Sequence, residues 1–211
     1  MEGDLSSPDM HGVIPRSAQA IFEALKQAKY SDHSVTVSYL EIYNEDLCDL
    51  LSDEKQPVGE KRSAHGVTKL EIMEGKNGTF CRGLSSKKVE VAEDVLALMQ
   101  KAQQQRKIGE TRMNKASSRS HSIFTMNIKA KVMLLNDGSM MEFVGKLHMV
   151  DLAGSECAKT ASLGKAMGAE ASRERERMNI NRSLLTLGRV ISMLKEQSQS
   201  KKSNHFRIPY R

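Results

Sequence analysis

Apolar positions recur at helical spacing in three places along the chain. Ile14, Ala18, Ile21 and Leu25 step by four, three and four residues, with Pro15 near the start, where its missing N–H costs nothing. Val91, Val95, Leu98 and Ala102 predict a second helix that ends near Gly109. Ile180, Leu184, Leu187, Ile191 and Leu194 predict a third, long one. Between them the period changes to two. Val35, Val37 and Tyr39 alternate with Leu40 and Ile42 on the other face, which predicts a strand buried on both sides that continues to Leu51. Phe124, Met126, Ile128, Ala130 and Val132 alternate with Thr125, Asn127, Lys129 and Lys131, a clear amphipathic strand. Asn136-Asp137-Gly138 is a hairpin signal, so Met141 to Leu152 is expected to return antiparallel to it.

Polar or glycine-punctuated stretches connect these elements. Residues 1–12 and 52–66 read as loops, and 68–91 as small strands and turns around Gly75, Gly78 and Gly83. Residues 157–172, rich in Ala, Gly and Lys, read as a mobile loop before the third helix, and 197–204 as another loop. No internal repeat or linker divides the chain, so residues 1–211 are expected to form one α/β domain.

Composition narrows the function classes. No apolar run approaches a membrane span, and the N-terminus has no signal-like region. Cys48, Cys81 and Cys157 match neither a zinc spacing nor a disulfide framework, which suits reduced thiols in a cytosolic protein. The six histidines form no short-spaced pair, which disfavours a metalloenzyme. Net charge is +6, but residues 1–53 carry 3 Lys/Arg against 10 Asp/Glu, and the remainder 29 against 16. A basic C-terminal two-thirds suits an acidic partner or is simply a solvated face.

Two stretches carry candidate chemistry. The first in the argument is Leu147-His148-Met149-Val150-Asp151-Leu152-Ala153-Gly154-Ser155-Glu156. A buried strand with a carboxylate at its C-terminal end can present it where open α/β sheets bind ligands. In nucleotide hydrolases such an Asp sits beside Mg²⁺, and a following glycine lets a backbone N–H approach a terminal phosphate. The second is Asn114-Lys115-Ala116-Ser117-Ser118-Arg119-Ser120-His121-Ser122, which offers four hydroxyls, an Arg and a His. A hydroxyl is a natural Mg²⁺ ligand beside phosphate oxygens, and Arg119 could pair with Glu156 in fork geometry. An ion pair between two loops around a γ-phosphate would make their closure depend on the nucleotide. Taken alone, each stretch is as readily a strand-end turn or a polar, phosphorylatable loop.

Together, in this order, the two stretches closely resemble the switches of the kinesin motor domain. Asn114-x-x-Ser117-Ser118-Arg119-Ser120-His121 resembles that family's first switch, and Asp151-Leu152-Ala153-Gly154-Ser155-Glu156 its second. Asn179-Ile180-Asn181-Arg182-Ser183-Leu184 resembles the start of its relay helix. Ile14-Pro15-Arg16, Leu40-Glu41-Ile42-Tyr43-Asn44-Glu45 and Gly83-Leu84 add to the match, and 184–191 is most like the mitotic bipolar class. The resemblance implies an α/β motor-domain fold, a central mixed β-sheet flanked by helices on both faces, incomplete at both termini. It implies ATP and Mg²⁺ as cofactors, microtubules as partner, neither nucleic acid nor membrane as partner, a cytoplasmic and cytoskeletal location, and oligomerisation of the parent through other segments.

The resemblance also implies residue roles. Ser118 would ligate Mg²⁺, and Asp151 would hold it through water. Asn114 and Ser117 would contact the γ-phosphate or the hydrolytic waters, and the Gly154 N–H would sense the γ-phosphate. Arg119 and Glu156 would form the ion pair that closes the site. Asn181 and Arg182 would lie near tubulin, and Lys159, Lys165 and Arg173 would reach toward its acidic surface.

One departure is large. A P-loop needs Gly-x-x-x-x-Gly-Lys-[Ser/Thr], and none of Gly75-Lys76, Gly145-Lys146 or Gly164-Lys165 satisfies it. In the family the P-loop shortly precedes a Met-Glu-Gly-like segment, and this chain starts Met1-Glu2-Gly3. The expectation is a truncated motor whose second-switch strand becomes an exposed, aggregation-prone sheet edge, poorly soluble and without ATP hydrolysis. The segment around Ala161 to Met167 is expected to be an insertion. A non-catalytic microtubule-binding scaffold that has lost its P-loop is the alternative. A basic nucleic-acid binder has only charge in its favour, because stacking aromatics are few.

Overall fold

The computed structural model describes residues 1–27, 30–53, 70–75, 78–113, 119–133, 139–155 and 167–199; for 31, 107–113 and 167–177 it describes the backbone alone. The elements are α1 (Val13–Leu25), β1 (Tyr30–Tyr43), β2 (Asp46–Asp49), β3 (Glu71–Gly75), β4 (Gly78–Arg82), β5 (Lys87–Val89), α2 (Ala92–Met113), β6 (His121–Met133), β7 (Met140–Asp151) and α3 (Met167–Gln199).

The main sheet runs β2-β1-β6-β7, with β5 also paired to β1; β3 and β4 form a separate hairpin. Every pairing among the described residues is antiparallel. The long β6 lies between β1 and β7. Its register places Tyr39 opposite Phe124 and Phe124 opposite Met149. Alternate side chains therefore face one side of the sheet. There Val35, Val37, Tyr39, Phe124, Met126 and Ala130 pack under Ile14, Ala18, Phe22 and Leu25 of α1 and Val95, Met99 and Ala102 of α2. Phe124 meets Tyr39 edge to face at 5.3 Å. Helix α3 lies on the other face, so helices flank both sides of the sheet. His121, which hydrogen-bonds Ser183 of α3, sits one residue before the buried Ser122 and points the opposite way.

Several boundaries differ from the sequence expectations. The strand expected to run to Leu51 breaks at Asn44 and Glu45, whose φ values are 50° and 70°. Two consecutive left-handed residues between Tyr43 and Asp46 make a tight hairpin turn, and β2 returns antiparallel with Tyr43 opposite Asp46. Asn tolerates this conformation, whereas Glu45 adopts it at a cost of about 1–2 kcal/mol. Helix α2 passes through Gly109 to Met113. Glycine ends a helix when it turns left-handed just past the last turn, and inside a helix it only weakens it. Helix α3 begins at Met167, within the stretch read as a loop, because Ala169-Glu170-Ala171 and the Arg/Glu run to Arg177 are strong helix formers. The hairpin signal at 136–138, and most of the loops at 52–66 and 157–172, lie outside the described residues.

Residues 1–12 fold back on themselves. Gly12 N–H donates to the Glu2 carbonyl at 2.8 Å, and Gly3 bridges His11. A Cβ on Gly12 would lie 1.9 Å from the Met1 carbonyl oxygen. Only glycine allows this approach, which delivers the Glu2 side chain into the sheet interior.

The apolar stripe of α3 is mostly uncovered. Ile180 is buried, but Leu187, Ile191 and Leu194 are exposed. The same holds for β7, where Met141, Phe143, Val144 and Val150 are exposed and no described strand pairs beyond it. An apolar edge of this length favours self-association. Val144→Lys, at the position exposed to 65%, is expected to reduce aggregation in light scattering at unchanged circular dichroism. Phe124→Ala is expected to cost about 3–5 kcal/mol in urea unfolding, by leaving a cavity against Tyr39.

Candidate functional site: two loops meeting at one end of the sheet

The β6–β7 register places Ser122 opposite Asp151. The Ser/Arg/His stretch enters β6 at the end where β7 leaves, so both candidate loops emerge side by side. Arg119, half-buried, occupies a helical turn just before β6. The Asp151 side chain is 57% exposed, and its Oδ2 lies 3.8 Å from the Met1 ammonium. Leu152 is exposed, Ala153 buried and Gly154 half-buried.

The first loop is moored by a buried polar cluster. Ser120 Oγ donates to Glu41 Oε1 at 2.8 Å, and both residues are buried. Arg106 of α2 pairs Nε with Glu41 Oε1 at 3.5 Å and donates from Nη1 to Glu2 Oε1 at 3.1 Å. Nε makes the ion pair without a hydrogen bond. The guanidinium lies over the Tyr39 ring, 5.2 Å from its centroid. Tyr39 Oη donates to Glu2 Oε1 at 2.5 Å, and Gln103 Nε2 donates to Glu2 Oε2 at 2.7 Å. Burial first, then the Glu2 carboxylate, pushes the Tyr39 hydroxyl above its ordinary range, against the pull of Arg106. The phenol therefore stays a donor. One guanidinium thus serves two carboxylates, and the neutral donors Tyr39, Gln103 and Ser120 add hydrogen bonds to them.

The second loop is fastened by His121. The Ala153 N–H donates to His121 Nδ1 at 3.0 Å, and His121 Nε2 lies 2.8 Å from Ser183 Oγ on α3. Ser183 Oγ in turn donates to the Ile180 carbonyl at 2.7 Å. One turn earlier on α3, Asn179 Nδ2 donates to Asn44 Oδ1, 2.8 Å away in the β1–β2 turn. Asn179 and Ser183 share a helix face, so α3 is pinned to the sheet at two successive turns.

Of the residues expected to carry the site, Arg119, Asp151 and Gly154 are brought to the same end of the sheet. Asn181 and Arg182 are exposed on α3, flanked by the pinned positions. Arg173 lies in α3, where only its backbone is described. Asn114, Ser117, Ser118, Glu156, Lys159 and Lys165 lie outside the described residues, and with them the Arg119–Glu156 pair. Sequence reading gave no role to Glu41, Arg106, Glu2 or Ser183. Glu41 did leave a signal: a carboxylate inside an otherwise apolar alternation needs a buried partner.

The family model of the kinesin motor domain matches residues 1–211. The chain belongs to the kinesin motor-domain family. It is 41% identical over 204 residues to Kinesin-like protein KIN-5A of Arabidopsis thaliana, covering 97% of this chain and 18% of that protein. It is 40% identical over 219 residues to Kinesin-like protein KIF11-A of Xenopus laevis, covering 100% and 19%. The chain thus spans about a fifth of the length of these curated relatives. Among solved kinesins, one described as "Structure of a fast kinesin" superposes with a TM-score of 0.70 at 35% identity, over 97% of this chain and 51% of that one. A KIF14 dimer bound to AMP-PNP in complex with a microtubule superposes at 0.73 and 32% identity, over 98% and 54%. The kinesin α/β fold expected from the sequence is therefore present.

Two outcomes follow from the site. Arg106→Ala leaves Glu2 and Glu41 without their cation and is expected to destabilise the fold by about 3–5 kcal/mol in urea unfolding. Burial lowers the pKa of His121 against the opposing effect of Glu45, and burial with Lys146 lowers that of His148. Their neutral forms contribute stability that is fully present above the unfolded value of about 6.5 and is lost as pH falls through the folded values. The urea midpoint is expected to drop between pH 7 and 5, and to drop less in a His121→Asn/His148→Asn variant.

Proposed function

We propose that this chain is the switch portion of an ATP-driven microtubule motor. The observation that carries the reading is the Ser122–Asp151 register, which brings Arg119, Asp151 and Gly154 to one end of the sheet beside a helix pinned to both loops' supports.

In this reading Asp151 and Ser118 hold Mg²⁺. The exposed strand-end carboxylate fits a hard cation. Bound Mg²⁺ would neutralise phosphate charge. Asn114 and Ser117 would position the γ-phosphate or the attacking water, and the Gly154 N–H would report the γ-phosphate. Arg119 would close on Glu156. Asn181 and Arg182, exposed on α3, would face the acidic surface of tubulin, as would Lys159, Lys165 and Arg173. The location would be cytoskeletal, and the similarity to KIN-5 proteins suits the spindle.

The 211 residues hold no Gly-x-x-x-x-Gly-Lys-[Ser/Thr] loop, and the alternative reading is a microtubule-binding scaffold without turnover, against which the presence of Ser118, Arg119, Asp151, Gly154 and Glu156 counts. The two separate in the natural protein that carries this sequence. A motor gives microtubule-stimulated ATP hydrolysis that falls about 100-fold or more in Arg119→Ala and Asp151→Ala. Co-sedimentation with microtubules and no turnover in any form would overturn the motor reading and leave the scaffold.

A further inference from the structure

We propose that Met133, Met140 and Met141 form a methionine-oxidation site, at which a peroxide turns the apolar end of the β6–β7 hairpin polar. The register sets Met133 directly opposite Met140, the outermost described pair of the ladder, and Met141 opposite Val132. Directly opposed residues stand about 5 Å apart at Cβ, so the thioethers of Met133 and Met140 share one face. Met141 faces the other way. Met140 lies on the face of Val144 and Met141 on that of Phe143, both exposed. The three methionines are themselves exposed to 52%, 48% and 51%. Thioethers therefore edge the apolar surface on both sides of the hairpin.

The chemistry needs only that hydrogen peroxide reach the sulfur. The sulfur lone pair attacks one peroxide oxygen, and the O–O bond breaks. Sulfur gains that oxygen and is oxidised by two electrons. The peroxide is reduced, and its other oxygen takes the proton and leaves as water. The product is a sulfoxide, polar and hydrogen-bond accepting, on a side chain that was apolar; a thiol-dependent sulfoxide reductase reverses the step. In a core this change would disrupt packing, but at these positions the new oxygen meets water, so the surface changes and the fold is kept. Met126, on the same strand, and Met99 are fully buried, which shields the core sulfurs. The exposed Met10, Met73 and Met178 lie on separate elements. The site is at the opposite end of the ladder from Ser122 and Asp151, and it does not rest on the function proposed above.

The test treats the natural chain with hydrogen peroxide, following each methionine by peptide mass spectrometry and the surface by retention on a hydrophobic column. Met133, Met140 and Met141 are expected to gain oxygen about tenfold faster than Met99 and Met126, or more. Retention is expected to fall at unchanged circular dichroism. Met133→Leu/Met140→Leu/Met141→Leu keeps the apolar surface without the sulfur. It is expected to lose most of the peroxide-induced fall, although Met10, Met73 and Met178 still oxidise. The proposal is overturned if the three methionines oxidise no faster than Met126, if their oxidation leaves retention unchanged, or if the variant shows the same fall as the natural chain. The first two outcomes are read on the natural chain and stand whether or not the variant folds. Absence of ATP turnover in the natural protein would remove the motor reading without touching these results.

Discussion

Strand β6 is hydrogen-bonded along both edges, to β1 over Tyr30–Ile42 and to β7 over its full length. That double ladder fixes which residues face which. Because side chains alternate, a slip of one residue would send Phe124 and Met126 out of the core and turn Asp151 to the wrong face. The apolar set beneath α1 and α2 thus determines the register, and the register determines that Ser122 and Asp151 stand opposite each other. The convergence of the two loops is a consequence of core packing, not of any attraction between the loops.

The polar cluster around Arg106 adds a second constraint at the same end. Its carboxylates come from the folded-back N-terminal loop and from β1, its cation from α2, and its serine from the entry to β6. Four segments meet in this cluster, the guanidinium pairing with both carboxylates and Glu41 holding Ser120. Such an arrangement contributes little net stability compared with apolar packing, but losing any member is costly. It suits a region whose loops must start from a defined position. On the other face, the fastening of α3 is sparse and polar at Asn179 and Ser183, while most of its apolar stripe is exposed. Both bonds lie near the middle of the helix, so its two ends are fastened to the sheet by neither.

Much of this was legible in the sequence. The alternation in β6 and the Asn-Asp-Gly signal placed the return strand, and the order of the two motif stretches indicated the family. The turn at Asn44–Glu45 was not read from the sequence, because Glu rarely adopts a left-handed conformation and Asn44 alone is a weak turn mark. The early start of α3 was hidden by Gly164 and Gly168, which outweighed the helix-forming Ala, Glu and Arg residues that follow. The role of His121 could not be read at all. It depends on Ala153 and Ser183, far away in sequence and brought together only by the β6–β7 register and the docking of α3.

The most direct measurement is the pattern of cross-strand proton contacts between β6 and β7 by nuclear magnetic resonance. The β6–β7 register requires contacts of Ser122 with Asp151, Phe124 with Met149, and Met126 with Leu147. Contacts shifted by one residue, with Phe124 against Val150 and Ile123 against Asp151, would contradict it, because the two loops would then no longer share one face.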